Sequence, residues 1–156
     1  MPYCTVGNYL VGTVCTTCPA GQSCTGESWT AAAVPCAAGR FQAATGQSAC
    51  VTCTVNNHCP STGASAVTPC PAGSFCPSTG MITATAASNG YYVALTAQSA
   101  QTAASTGSFA NATGLSRQFA APIGHFAAAT GMSQVWDSAA FSNLPLLASL
   151  FGFIIL

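Results

Sequence analysis

The sequence predicts an elongated, mainly β and irregular protein, a tandem repeat of a seventeen-residue unit stapled by disulfides, with helix expected at most in the C-terminal tail. Three observations predict this class. A Thr-Gly pair recurs every seventeen residues, at Thr45, Thr62, Thr79, Thr113 and Thr130, and Thr96-Ala97 fills the remaining step. A glycine followed two residues later by an aromatic keeps the same period, at Gly39, Gly73, Gly90, Gly107 and Gly124, while Asn56 and His58 fill the second step. All ten cysteines lie in the first half of the chain, and Cys76 is the last of them. A fixed short period is typical of repeat proteins, in which each unit buries its apolar face only against its neighbours.

The composition is nearly free of charge. Four of the 156 residues are charged, namely Glu27, Arg40, Arg117 and Asp137, whereas globular domains are typically about 25% charged. A surface of this kind tends to associate, so we expect it to be covered by sugars on Ser and Thr or to be buried in a polymer. Two arginines and no lysine argue against nucleic acid binding, which depends on basic contacts to phosphate.

The chain divides into four parts. Residues 1–35 form a trimmed cysteine-rich repeat, in which Cys4-Thr-Val-Gly-Asn-Tyr matches Cys36-Ala-Ala-Gly-Arg-Phe. Residues 36–83 hold regular cysteine-rich repeats, and residues 84–138 continue the same period without cysteine. Residues 139–156 form an apolar C-terminal tail.

Each unit is predicted to form a short strand, a turn and another short strand. Glycine before an aromatic supplies a tight bend, and Thr-Gly supplies a turn in which a positive φ costs little. Runs such as Ser74-Phe75 and Tyr91-Tyr92-Val93 suit β geometry.

Small residues take the place of cysteine in residues 84–138. They are Ala87, Ala104 and Ala121 at one repeat position and Val93, Ala110 and Ala127 at another. A unit that keeps its turn but loses its covalent staple must be held by stacking on neighbours, in this chain or another. This favours lateral packing over the alternative, a disordered linker rich in Ala, Ser and Thr.

The last thirteen residues are uncharged and almost wholly apolar. The residues predicted to act as an assembly or anchor tail are Leu144, Leu147, Leu150, Phe151, Phe153, Ile154, Ile155 and Leu156. The run is shorter than the roughly 20 residues of a membrane-spanning helix. Three interpretations stay open: a GPI attachment signal with small residues at 138–140 upstream, an assembly tail that inserts into a neighbouring subunit, or the end of a buried last repeat.

Ten closely spaced cysteines predict an extracellular disulfide framework. Zinc bound by two Cys-x2-Cys pairs is the alternative, but the stretch between Cys18 and Cys50 is longer than a zinc-ribbon spacing, and six cysteines would be left over. The expected links form a loop followed by two interleaved pairs, and the first repeat follows by analogy. They are Cys4–Cys15, Cys18–Cys24, Cys36–Cys50, Cys53–Cys70 and Cys59–Cys76.

Residues for catalysis are scarce, and we expect no enzyme. His58 stands at a position otherwise held by aromatics, and His125 lies beside Phe126, so both are interpreted as repeat residues and not as ligands. Glu27 and Asp137 lie in different repeats, which separates the two carboxylates. No cofactor and no metal are expected.

Glycosylation is the modification that the sequence offers directly. Asn111-Ala112-Thr113 is an N-glycosylation sequon in a predicted turn, and the many Ser and Thr beside Ala, Pro and Gly are candidate O-linked acceptors. Covalent sugar would supply the hydration that charge does not.

The cysteine-rich elements Cys36-Ala-Ala-Gly-Arg-Phe, Ser48-Ala-Cys-Val-Thr-Cys and Cys70-Pro-Ala-Gly-Ser-Phe-Cys-Pro resemble the repeats of ephrin-receptor ectodomains and of many algal and protist surface proteins. Their interleaved links are also similar to those of tumour-necrosis-factor-receptor modules. The resemblance covers roughly residues 4–80 and implies an extracellular rod of small disulfide-linked β modules.

These observations together predict a non-enzymatic extracellular structural repeat protein, a glycosylated subunit of a filament or surface coat that associates with itself. The alternative is a cell-surface antigen or receptor-like binding ectodomain that is anchored to the membrane through residues 144–156.

Overall fold

The computed structural model describes residues 3–26 and 32–139. Glu27 and the tail residues Leu144 to Leu156 therefore lie outside the described residues. Within them the chain forms sixteen strands: β1 Asn8–Val11, β2 Val14–Thr17, β3 Gln22–Ser23, β4 Val34–Pro35, β5 Arg40–Phe41, β6 Val51–Thr52, β7 Asn57–His58, β8 Thr68–Pro69, β9 Ser74–Phe75, β10 Thr85–Ala86, β11 Tyr91–Tyr92, β12 Thr102–Ala103, β13 Ser108–Phe109, β14 Phe119–Ala120, β15 His125–Phe126 and β16 Trp136–Asp137.

Consecutive strands pair into eight antiparallel two-stranded hairpins, β1 with β2 through to β15 with β16. From β5 onward, equivalent strands start seventeen residues apart, and each hairpin has two residue pairs, such as Ser74 with Ala86. We number the units from the residue that occupies the first core position: 36–52, 53–69, 70–86, 87–103, 104–120 and 121–137 are units 1 to 6. The predicted mainly β, disulfide-stapled repeat is confirmed, and units 4 to 6 keep the hairpin without any cysteine.

A tight turn leads into each hairpin, and it explains the glycine that precedes the aromatic. In unit 3 the Ser74 amide donates to the Pro71 carbonyl at 3.0 Å, and Gly73 between them has a φ of 84°. This is the geometry of a turn that needs a left-handed third residue, which glycine adopts without steric cost. In unit 2 the same place is held by Asn56 at a φ of 74°.

Besides the bond that closes each hairpin, such as that from the Ala87 amide to the Gly73 carbonyl at 2.8 Å, three backbone hydrogen bonds join each unit to the next. Between units 3 and 4, the Gly73 amide donates to the Val93 carbonyl, the Cys76 amide to Gln98, and the Ala97 amide back to Cys70, each at 2.8 Å. The same three bonds recur at all five junctions from unit 1 to unit 6, at 2.7 to 3.0 Å. Cohesion that repeats between nearest neighbours is what defines a quasi-one-dimensional stack.

The core is a narrow column made of two residues per unit, at position 1 and position 7. The buried members are Cys36, Cys53, Cys59, Cys70, Cys76, Ala87, Val93, Ala104, Ala110 and Ala127, each at most 2% exposed. Because these side chains are small, they supply little hydrophobic area. The hydrogen bonds between units and the disulfides must therefore carry much of the stability.

Candidate functional site: the junction between repeat units

Disulfides cross-link the core of the cysteine-rich part of the chain. All ten cysteines are paired. The pairs Cys4–Cys15, Cys18–Cys24 and Cys36–Cys50 agree with the prediction, with Cα–Cα distances of 5.4, 5.8 and 5.7 Å. These values lie within the range that a disulfide requires.

The two predicted interleaved links, Cys53–Cys70 and Cys59–Cys76, are wrong. The structure pairs Cys53 with Cys59 and Cys70 with Cys76, at Cα–Cα distances of 6.3 and 6.2 Å. The entry turn folds the chain back so that positions 1 and 7 of one unit meet in the core, whereas the interleaved links would have joined different units. Cys18 and Cys24 are also six residues apart, and this predicted pair is the feature of the sequence from which Cys53–Cys59 and Cys70–Cys76 could have been predicted.

Gln42 explains why Cys36 takes a different partner. It occupies position 7 of unit 1, where units 2 and 3 have cysteine, so Cys36 has no cysteine six residues ahead and bonds to Cys50 instead. The Gln42 side chain is only 8% exposed, yet both its polar atoms are satisfied. Its Nε2 donates to the Ala49 carbonyl at 2.7 Å, and its Oε1 accepts from the Ala44 amide at 3.1 Å.

The two sequence markers meet in space across two units. A Cβ built on Gly39 in unit 1 would lie 2.5 Å from the carbonyl oxygen of Gly80, which belongs to the Thr-Gly pair of unit 3. Gly73 meets the Gly114 carbonyl and Gly90 meets the Gly131 carbonyl, again two units further on. The Gly-x-aromatic and Thr-Gly motifs therefore keep one period because each provides the surface on which the other packs.

The exceptions to the two motifs fall in matching places. Asn56 in unit 2 and Ala97 in unit 4 are the two non-glycine residues with a positive φ among those described, at 74° and 55°. They stand in the same sequence relation as Gly39 and Gly80, so the two motifs lose their glycines at corresponding places in units 2 and 4. The Asn56 Oδ1 atom is buried without a hydrogen-bond partner among the described residues.

The described part of the chain contains one cluster with metal-ligand chemistry. The His58 Nδ1 atom lies 3.8 Å from the Cys70 Sγ atom, and the ligand atoms of His58, Cys70 and Cys76 all lie within 4.8 Å of one another. Cys70 and Cys76 are joined to each other, however, and metals bind the thiolate form of cysteine. In the disulfide form this group does not provide two thiolate ligands.

The remaining predicted site residues lie on the surface. Asn111 and Thr113 of the sequon are both exposed and lie outside the strands. His125 is exposed, with its Nδ1 atom 3.4 Å from the Ile123 carbonyl. Asp137 is exposed and its Oδ1 atom accepts from the Ala139 amide at 2.8 Å.

The outer surface combines little charge with several exposed large apolar side chains. In the described ranges the charged residues are Arg40, Arg117 and Asp137, and all three are exposed. Arg117 lies over the Phe119 ring, 5.2 Å from its centroid. The most exposed large apolar residues include Tyr3, Val14, Leu95 and Ile123.

Neither a comparison with protein-family models nor one with curated protein sequences gives a match for this chain. The resemblance to ephrin-receptor-like repeats therefore stays a prediction. Over residues 3–26 and 32–139, the structure has no helix of the length and hydrophobicity needed to cross a membrane.

Proposed function

We propose that this chain is a non-enzymatic, extracellular structural protein, a glycosylated repeat subunit that associates with copies of itself into a filament or a surface coat. The observation that carries the proposal is the combination of a regular stack of units with an outer surface almost free of charge. Such a stack presents the same surface features in every unit along its length, which suits packing against further copies.

The cysteines support the extracellular part of the proposal. All ten are in disulfides, and disulfides persist in oxidising compartments, whereas cytosolic thiols are kept reduced. A described core built from Cys, Ala and the one valine Val93 also gains from such staples, because a small apolar core supplies little stability of its own.

The surface supports association. Few charges oppose contact between copies, and side chains such as Leu95, which is 67% exposed, and Val14, which is 64% exposed, lose contact with water when they are covered. The same shortage of charge requires another source of hydration before assembly. Sugars on hydroxyl side chains and on Asn111 would provide it.

The test is the assembly state of the protein secreted by its own cells and kept under non-reducing conditions. Sedimentation velocity over a concentration series, followed by electron microscopy, is expected to show growth from single chains to regular filaments or sheets. A single monomeric species at every concentration, with no ordered assembly, would contradict the proposal.

The second candidate is a membrane-anchored surface antigen, which is favoured by the apolar run at residues 144–156 of the sequence. Mass spectrometry of the C-terminal peptide separates the two. A peptide that includes these residues supports the assembly proposal. A mature chain that ends near Ser138 and carries a lipid supports the anchored protein.

A further inference from the structure

One position of the repeat carries threonine in every unit. These residues, which we call the threonine column, are Thr45, Thr62, Thr79, Thr96, Thr113 and Thr130. All six are exposed, and none lies in a strand. The column runs through the disulfide-bonded units and the cysteine-free units alike, so its retention does not depend on the disulfides.

The fold does not use the hydroxyl groups of the column. Within the part of the chain that the structure describes, their Oγ1 atoms make no hydrogen bond, and two of these residues accept only through the main chain. The Gln47 Nε2 atom donates to the Thr45 carbonyl at 3.2 Å, and the Gln98 Nε2 atom donates to the Thr96 carbonyl at 3.1 Å.

The neighbouring positions vary although the column does not. The residue before each column threonine is Ala, Ser or Leu, and the glycine after it is replaced by Ala97 in unit 4. If only the turn geometry fixed this motif, the constant residue would be the one with a left-handed backbone, which is the residue after the threonine. Its φ is 69° to 72° where it is a glycine, at Gly46, Gly63, Gly80, Gly114 and Gly131. The invariant hydroxyl therefore points to a role outside the folded chain.

The stack spaces these hydroxyls regularly. Because the same three hydrogen bonds join each unit to the next, equivalent side chains repeat at one regular step along the stack. A second set of exposed threonines, Thr68, Thr85 and Thr102, lies on strands whose main chain is paired within a hairpin. That second set provides an internal comparison, since its main chain is paired inside a hairpin, whereas the column threonines lie outside the strands.

We propose that the threonine column is the O-glycosylation site of this protein, with one sugar chain per seventeen-residue unit. The inference rests on the proposed function and adds the position and spacing of its sugars. In the reaction, the threonine Oγ1 atom attacks the anomeric carbon of a sugar activated as a phosphate ester. The new C–O bond forms while the C–O bond to phosphate breaks, the phosphate leaves with the electron pair, and the hydroxyl proton passes to a base of the transferase.

A row of sugars at this spacing resolves the shortage of charge. The described ranges contain three ionised side chains for six units, whereas a sugar chain on every unit would hydrate the stack at a regular interval. The exposed surfaces between the sugars would remain free for contact with other copies.

The proposal is tested by mapping sugars on the protein secreted by its own cells, using peptide fragmentation that keeps sugar–threonine bonds intact. Sugar is expected on each column threonine and not on Thr68, Thr85 or Thr102. Thr113 also completes the Asn111 sequon, so its peptide is read after enzymatic release of N-linked sugar.

Matched variants sharpen the test without disturbing the fold. Thr79→Val keeps the shape of the side chain and is expected to lower the intact mass by one sugar chain, while Thr79→Ser retains it. Thr85→Val is expected to leave the mass unchanged. Correct disulfide maps in all three show that they fold.

The outcomes distinguish this inference from the function on which it rests. Sugars found only on residues outside the threonine column would contradict the proposed sites but agree with a glycosylated subunit. A chain without any sugar that still forms filaments would contradict both the proposed sites and the glycosylation in the proposed function. A bare chain that stays monomeric overturns both.

Discussion

At the scale of single residues, positions 1 and 7 of each unit decide what holds the core. Cys70 and Cys76 are joined covalently, whereas Ala87 and Val93 occupy the same two positions in the next unit and are as deeply buried. The same two core positions are thus filled by a disulfide in unit 3 and by a packed Ala–Val pair in unit 4. Exchange between them is a direct measure of what the disulfide adds.

We predict that the double variant C70A/C76V folds and loses about 2 kcal/mol of unfolding free energy, the chain-entropy value of a small disulfide loop. The variant C70A/C76A is expected to lose about 1.5 kcal/mol more, because valine adds roughly two buried carbon groups relative to alanine. Urea denaturation of both variants measures the difference. Equal stability of the two would show that valine at position 76 does not fill the space that the disulfide leaves.

The buried Oδ1 atom of Asn56 leads to a second prediction at this scale. A buried polar atom without a partner costs about 1 to 3 kcal/mol, and the left-handed backbone of this residue suits glycine better. Asn56→Gly is therefore expected to raise the unfolding free energy by about 1 kcal/mol. Urea denaturation beside the parent protein measures the change, and a fall in stability would mean that the Asn56 side chain makes a favourable interaction.

At the scale of the hairpin, the glycine of the entry turn has two separate tasks. It adopts a left-handed conformation, and it allows the carbonyl of a Thr-Gly pair two units ahead to approach closely. Gly90, with a φ of 85°, has both tasks because it meets the Gly131 carbonyl. A Cβ built on Gly124, which has a φ of 81°, lies within 4 Å of no other described residue, so among the described residues this glycine has only the first task.

This difference predicts unequal costs for the same substitution. Gly124→Ala is expected to cost about 1 to 2 kcal/mol, the penalty of a left-handed L-residue. Gly90→Ala adds a clash with backbone and is expected to cost about 2 kcal/mol more, on the order of the larger effects of overpacking. Thermal or urea unfolding of the two variants gives the comparison, and equal losses would refute the close contact between units 4 and 6.

The sequence was sufficient to predict the period, the strand–turn–strand unit and three of the five disulfides. Motifs such as Gly73-Ser74-Phe75 act through local turn geometry, which is readable from neighbouring residues. The contact between Gly90 and Gly131 was not predicted, because it depends on how far one unit is displaced along the stack from the next. The interleaved pairing predicted for Cys53 and Cys59 is wrong because the entry turn brings positions 1 and 7 of one unit together, a contact that the cysteine spacing alone does not fix.

At the scale of the whole molecule, one set of hydrogen bonds runs through parts of very different composition. Units 1 to 3 contain disulfides and units 4 to 6 contain none, yet the junction between units 5 and 6 repeats the bonds of the junction between units 1 and 2. This uniformity suits the function proposed above, since a contact that one unit makes with another copy would then be available to the next unit. The backbone ladder, more than the covalent links, defines the architecture.

Amide hydrogen exchange of the oxidised protein, measured residue by residue by NMR, tests that claim most directly. The slowly exchanging amides outside the hairpin strands are expected to include those at positions 4 and 7 of units 1 to 5 and at position 11 of units 1 to 6, for example Gly107, Ala110 and Gly131 in the cysteine-free part. Protection should therefore recur every seventeen residues across units 1 to 6. Fast exchange throughout residues 87–137, or protection without this period, would contradict the stack.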